Sequence, residues 1–257
     1  MKIATFNANS LRARAEIIGD WLAEHAPDVL GVQETKVQDA QFPLKDFAET
    51  GYYCVFRGQK SYNGVAIFTR SAPDRVVYGL GGDDPAILPR VLAVTIGGVT
   101  VLNTYVPQGY SIDSEKYAFK LDFFKRVRAF LEAHHQPGER LVWIGDLNVA
   151  PLSIDVYEPE TKTDHVCYHE AVRAALAEVM AWGLEDVFRK HVSEPGQYTF
   201  WDYRIPNAVP RGMGWRIDHI LATAPMAALS TGAWIDTAPR LAARPSDHTF
   251  LVAEFDL

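Results

Sequence analysis

Residues 90–107, RVLAVTIGGVTVLNTYVP, place the strongest constraint on how this chain can fold. Two runs rich in β-branched residues flank Gly97-Gly98. A two-glycine link of this kind marks a tight β-hairpin, because both central turn positions need positive φ. A hairpin pairs its strands antiparallel, which argues against an all-parallel, doubly wound sheet. Further strand-like runs are KIATFNAN (2–9), DVLGVQET (28–35), YYCVFRG (52–58), GVAIFTR (64–70), LVWIGDLN (141–148), YTFWDYR (198–204), GWRIDHILAT (214–223) and HTFLVAEFDL (248–257). Helical spacing appears in three places. Ser10 can cap a helix whose stripe is Leu11, Ile18, Trp21 and Leu22, ending before Pro27. Tyr117, Leu121, Phe124, Val127 and Leu131 repeat along 116–135, and a helix over 169–183 stops at Gly183. Residues 152–168 are a polar loop. With no linker, repeat or compositional break, residues 1–257 are expected to form one α/β domain of mixed sheets covered by helices.

Charge and cysteine content narrow the class. Lys and Arg number 25 against 32 Asp and Glu, a formal net charge of −7, the opposite of the usual non-specific nucleic-acid binder, so any DNA contact must rest on local charge. Cys54 and Cys167 are too few for a disulfide framework and are expected to be reduced and structural. The opening MKIATFNANS has too short an apolar segment for a secretory signal, and no run approaches the length of a membrane span. A cytoplasmic, membrane-independent protein is expected.

The polar residues cluster at strand ends. Asn7 closes the first strand and Glu34 the second. Asn103 and Tyr105 lie near the end of another, and Asp146 and Asn148 end the central one. Asp218 sits within WRIDHIL, and Asp247-His248 precede the last strand. In an extended segment i and i+2 share a face, so Asp146 and Asn148 would project together. From that fragment alone a turn is the simpler reading, since Gly, Asp and Asn all favour one. Similarly, Asp247-His248 could cap a turn and Asp218 could be a satisfied strand residue. Polar groups at the lips of apolar strands are costly to desolvate without partners, however, and together these residues are best partnered by one another. Carboxylate and carboxamide oxygens with one histidine suit a hard cation such as Mg²⁺ rather than zinc. A carboxylate on the second nitrogen of His248, with Asp218 the candidate, would fix its tautomer and raise its pKa. The chemistry expected of such a cluster is phosphoester hydrolysis.

Read in order, FNANSLRAR, PDVLGVQETK, GQKSYNGVAIF, NTYVPQG, IGDLNVAP, YTFWDYR, GWRIDHIL and RPSDHTFLVAEF resemble the exonuclease III class of apurinic/apyrimidinic endonucleases, within the endonuclease/exonuclease/phosphatase superfamily. The likeness runs from residue 2 to 256 and is weakest between 152 and 195. It implies a four-layer α/β sandwich in which two packed mixed β-sheets, flanked by helices, present the site at one edge. By motif, it makes Glu34 the principal metal ligand, with Asn7 close by and Asn9 and Asp247 in or near the shell of Mg²⁺ or Mn²⁺. Asp146 would activate water, Asn148 and Tyr105 would contact the phosphate, and His248, oriented by Asp218, would stabilise the transition state. The implied activity is hydrolysis 5′ to abasic sites, with 3′-phosphodiesterase, 3′-phosphatase and 3′–5′ exonuclease action on duplex DNA by a monomer. A superfamily phosphatase or sphingomyelinase is the alternative.

Phe200, Trp201 and Trp215 would ordinarily be core aromatics. The resemblance instead makes Phe200, Trp215 and Ile217 an apolar pocket for an extruded sugar lacking its base, with Trp201 beside them. Lys36, Arg57, Lys60, Lys116, Arg204, Arg211, Arg216 and Arg244 flank the motifs, whereas many acids lie on helices, so a basic face on an acidic body is expected. DHVCYHE brings Asp164, His165, Cys167 and His169 close in sequence. No second cluster completes a zinc site there.

Overall fold

The computed structural model describes residues 1–82 and 84–257. Two six-stranded sheets form its centre. In spatial order the first is β11 (Ser230–Asp236), β12 (Phe250–Phe255), β1 (Lys2–Asn7), β2 (Val29–Gln33), β4 (Val65–Thr69) and β3 (Tyr53–Arg57). The second is β5 (Arg75–Tyr78), β6 (Val91–Ile96), β7 (Val99–Tyr105), β8 (Leu141–Asp146), β10 (Asp218–Thr223) and β9 (Leu184–Asp186). Both sheets are mixed, because β1 pairs parallel with β2 and β7 with β8 while the other pairings are antiparallel.

The period-2 alternation of the strands sorts their residues between layers. Ile3, Val29, Val101, Val142, Ile144, Ile220 and Leu251 face the opposite sheet and form the apolar seam between the two. Ala4, Phe6, Leu30, Val32 and Phe250 face outward beneath α1 (Ala15–His25), through Ile18, Trp21 and Leu22. Leu102, Trp143 and Leu221 face outward beneath α2 (Glu115–His134) and α3 (Glu170–Met180). The short helices α4 (Val187–His191) and α5 (Ala224–Leu229) close the end near β9. Each buried Val, Leu, Ile or Phe contributes about 1.5–3 kcal/mol relative to exposure, so these three apolar layers define the four-layer sandwich.

The inward series dictates where the polar residues go. Ile3–Thr5–Asn7, Val142–Ile144–Asp146 and Val101–Asn103–Tyr105 alternate inward until the apolar partners run out. The parallel pairs end at one edge, and antiparallel β10 and β12 begin there: Asp218 lies opposite Asp146 and Leu251 opposite Thr5. Gly145 permits the last step. Its φ is +137°, and a Cβ would stand 2.0 Å from the Thr104 carbonyl oxygen. The Gly97-Gly98 hairpin has positive φ at both positions, 55° and 78°, as its residue pair requires.

Some expectations need correction. Ser10 does not cap α1; it has φ 96°, and a 3₁₀ turn over Arg12–Arg14 intervenes before the helix begins at Ala15. YTFWDYR is not a strand. Phe200 alone makes bridges, to Trp215 and His248, and the rest is irregular. The regular strand of GWRIDHILAT starts at Asp218. Strands β5, β9 and β11 had no clear signature, being short or partly exposed edge strands. Among the described residues no helix is long and apolar enough to cross a membrane. Both cysteines are free.

Candidate active site

Eight of the strand-end residues, all but Asn103, meet at one edge. The Asn7 carboxamide nitrogen donates to Glu34 Oε1 at 2.9 Å and to Asp146 Oδ2 at 2.8 Å, joining the first sheet to the second. Its oxygen accepts from the backbone N–H of Asn9 at 2.9 Å, and Asn9 Nδ2 donates to Asp247 Oδ1 at 3.0 Å. Ser246 donates to the Asn7 carbonyl at 2.7 Å, pinning the segment that carries Asp247 and His248 against β1. The backbone N–H of Trp201 bonds the Asp247 carbonyl at 2.8 Å.

Asp146 and Asn148 do meet, although not along an extended strand. Asn148 takes φ 51°, its backbone N–H donates to Asp146 Oδ1 at 2.9 Å, and its Nδ2 donates to Asp146 Oδ2 at 3.1 Å and to the Val106 carbonyl at 3.0 Å. The turn suggested by Gly, Asp and Asn is therefore the device that brings the two side chains together.

His248 Nδ1 lies 2.8 Å from Asp218 Oδ2, and its Nε2 is 3.9 Å from Asp146 Oδ2. Burial alone would push the imidazole pKa down, but Asp218 and Asp146 outweigh it and raise it to about 10. Burial, reinforced by the charges of Asp218 and Glu34 against the opposing His248, raises Asp146 to about 7. Burial also holds the Tyr105 phenol well above its ordinary value, with Glu34 and Asp146 adding to the effect, so it remains a neutral donor. Glu34 shifts the other way: burial raises its pKa, but Lys36 and the Asn7 amide more than compensate.

Two groups could hold a cation. Ligand atoms of Asp146, Asp218 and His248 lie within 4.8 Å of one another. An imidazolium has no lone pair to offer, however, and as it stands His248 balances the two carboxylates. The second group has only oxygen donors: Glu34, the carboxamide oxygens of Asn7 and Asn9, and Asp247. Lys36 Nζ already lodges there, 3.0 Å from Glu34 Oε2 and bonded to Asn9 Oδ1. An ammonium held among oxygen donors marks a place where positive charge is stabilised, and the donor set fits a hard divalent ion.

A cleft of about 440 Å³ opens beside these residues. One wall is polar, with Glu34, Tyr105, Asp146, Asn148 and His248; the other is apolar, with Phe200, Trp215 and Ile217. Phe200 stacks obliquely on His248, with centroids 4.9 Å apart. The loop 152–168 supplies Tyr157, Lys162 and His165, and the His165 ring lies 4.5 Å from that of Trp215.

Several expected contacts are not made as the sequence suggested. Arg216 is fully buried, bonding Asp155 Oδ1 at 2.7 Å and Asp186 Oδ2 at 2.7 Å, so it cannot grip DNA. Trp201 is only 4% exposed and packs with Tyr198 and Ala208 rather than lining the cleft. Arg57 is paired with Asp39 and Arg204 with Asp202. Lys60, Lys116, Arg211 and Arg244 are exposed. The DHVCYHE residues have other tasks. His169 caps α3, His165 Nδ1 accepts from the Cys167 N–H, and Cys167 lies against Asn148. Lys120, not singled out by the sequence repeat, is buried on α2. It shares the buried face of α2 with Tyr117, Phe124 and Val127, where the repeat had placed half-buried Leu121. Its position three residues after Tyr117 and four before Phe124 was the available signal.

The chain is similar to known proteins along its whole length. Residues 4–248 match the model of the endonuclease/exonuclease/phosphatase family. The chain is 32% identical over 267 residues to exodeoxyribonuclease III of Haemophilus influenzae, covering 99% of this chain and 100% of that protein. The structure of an AP endonuclease from Archaeoglobus fulgidus superposes with a TM-score of 0.97 at 47% identity, covering 100% of both chains. A 3′ phosphatase from Neisseria, bound to product DNA hairpin, gives 0.93 at 38% identity, again covering 100% of both.

Proposed function

The chain belongs to the endonuclease/exonuclease/phosphatase family, and from that premise we propose a DNA-repair nuclease that cuts the phosphodiester 5′ to abasic sites and clears blocked 3′ ends of duplex DNA, with 3′–5′ exonuclease action. It is a hydrolytic, divalent-metal-dependent enzyme. We assign Mg²⁺ or Mn²⁺ as the ion, residues 1–257 as one domain, and a cytoplasmic monomer as the working form. The observation that carries the reading is a phosphate-sized polar corner, Glu34, Tyr105, Asp146, Asn148 and His248, adjoining the apolar recess of Phe200, Trp215 and Ile217. A sugar without its base fits a recess of that kind, whereas a full nucleotide needs more room, and extrusion costs least where the base is already missing.

In this reading Asp146 accepts a proton from the attacking water, as a buried carboxylate with a pKa near the working range can. The water oxygen bonds to phosphorus as the P–O3′ bond breaks, and the departing O3′ takes a proton from solvent, leaving a 3′-hydroxyl upstream and a 5′-phosphate on the abasic sugar. Asn148 and the neutral Tyr105 hydroxyl donate to the phosphate. His248, protonated and held by Asp218, donates to an oxygen that gains charge in the transition state. Charge on the phosphoryl and leaving oxygens is what the cation bound by Glu34, Asn7, Asn9 and Asp247 would offset.

The test is a parallel digestion of abasic, 3′-phosphate and recessed-end duplexes, with inositol phosphates as the small-substrate control, in Mg²⁺ and in Mn²⁺. Cleavage of the abasic strand on its 5′ side is expected, together with a loss of about 10³-fold or more in Asp146→Asn while duplex affinity is retained. Preferential turnover of the small phosphoesters, or full activity in the variant, would sink the reading.

A further inference from the structure

Lys120 is fully buried, and its side chain ends beneath the catalytic edge. Its Nζ donates to the carbonyls of Gln108 at 3.0 Å, Asn148 at 2.7 Å and Val166 at 2.7 Å. These belong to three separate loops, each of which lines the cleft: Gln108 follows Tyr105, Asn148 follows Asp146, and Val166 precedes Cys167. Among the described residues the ammonium makes these neutral contacts and forms no ion pair with a carboxylate. A buried cation without a counter-ion is costly, and burial pulls the Lys120 pKa down against the opposing influence of Cys167 and Asp146. A neutral residue could pack α2 more cheaply.

Building on the nuclease reading, we propose that Lys120 is a positioning residue for phosphodiester hydrolysis: it locks the Asn148 backbone from behind and supplies fixed positive charge towards the scissile phosphate in front of Asn148. The hold on Asn148 is over-determined. Its carbonyl is tied to Lys120, its N–H to Asp146, and its Nδ2 to Val106 and Asp146, while the Cys167 thiol approaches its Oδ1 at 3.8 Å. That many restraints can keep a non-glycine residue at φ 51°, a conformation of the kind that persists only where its surroundings insist on it. Lys120 is the charged member of the group that is not itself at the reacting corner. Its field also reaches the cleft wall, where burial first and then Lys120 and Lys162 lower His165 to about 4. Gly109 makes room for the side chain, since a Cβ there would come within 3.3 Å of Lys120 Cδ.

The test compares Lys120→Met, Lys120→Gln and Leu131→Ala. Leu131 packs under the same helix, away from the site, and controls for loss of stability. Three quantities are measured: single-turnover cleavage of a saturating abasic duplex with Mg²⁺, affinity for that duplex without metal, and thermal stability. Lys120→Met should slow cleavage by about 10²-fold while affinity stays within about threefold. Lys120→Gln, which keeps donors but no charge, should fall between Met and wild type, whereas Leu131→Ala should keep the wild-type rate despite its lower melting temperature. If Lys120→Met does not fold, Lys120→Gln is judged by the same rate-against-affinity split. A wild-type rate in the soluble Lys120 variants, an equal loss in Leu131→Ala, or affinity falling as far as the rate would each overturn the proposal. Wild-type protein inert on the abasic duplex but active at recessed 3′ ends would overturn the substrate assignment alone, and the variants would then be scored on the 3′-end reaction.

Discussion

The most consequential residues are the acid–base set Asp146, His248 and Asp218. Asp146 carries a pKa of about 7 in the fold, well above the roughly 3.9 of an exposed aspartate. A raised carboxyl favours the folded state fully below the unfolded pKa and loses that advantage as pH rises through the folded value. In a chelating buffer, therefore, the stability of Asp146→Asn relative to wild type should move in the variant's favour between pH 4 and 8, as followed by thermal unfolding; a pH-independent difference would contradict the shift. His248 behaves differently. Its pKa of about 10 means that its share of stability is full below the unfolded value of 6.5 and is lost progressively as pH rises from there through about 10. Asp218→Asn removes the carboxylate that does most to raise that pKa, so the alkaline limb of the cleavage rate should move to lower pH. The chemical types at this corner were legible in the sequence, but Lys120 was not, because a lysine in an apolar repeat reads as an interruption rather than as a buried ammonium.

At the level of elements, the site depends on strand ends being held to fractions of an ångström. Gly145 is the tightest point. Alanine there would need φ +137° and would drive its Cβ into the Thr104 carbonyl at 2.0 Å. Gly145→Ala should cost about 2 kcal/mol or more in urea unfolding and displace Asp146, reducing cleavage as well. A second brace ties loop 152–168 to β9, β10 and α4, in which Asp155 is bonded by both Arg216 and Arg189. Arg216→Met would leave Asp155 and Asp186 short of a partner in a buried setting, at a cost of about 3–5 kcal/mol. Duplex affinity of the folded fraction should be unchanged, in contrast to the DNA contact expected of Arg216 as one of the cations around the motifs. That suggestion failed because sequence cannot tell an arginine that flanks a motif at the surface from one that turns inward to neutralise carboxylates 61 and 30 residues away.

For the whole molecule, a net charge of −7 sets a background that repels DNA, so binding must come from a few cations gathered on one side. If exposed Lys60, Lys116, Arg211 and Arg244 each neutralise one phosphate, log affinity against log salt should have a slope of about −3 to −4, measurable by fluorescence anisotropy on a short abasic duplex. A slope near zero would place the grip elsewhere. Chelation should stop cleavage while leaving the far-ultraviolet circular dichroism unchanged, since the apolar clusters that hold the sheets and helices together include none of the candidate ligands Glu34, Asn7, Asn9 and Asp247. What the sequence determined by itself was local and periodic: the Gly97-Gly98 hairpin, the polar residues at strand ends such as Asn7, Tyr105 and Asp146, and the helices over 116–135 and 169–183. Those features follow from turn stereochemistry and from the two- and 3.6-residue repeats, which any short window displays. Only the tertiary structure decided which edge the strand ends share, which cations face solvent, and that Lys120 lies under Asn148. These depend on pairings between residues as far apart in sequence as Lys2 and Glu254 and on competition between partners for each buried charge, and neither is written in any local stretch of chain.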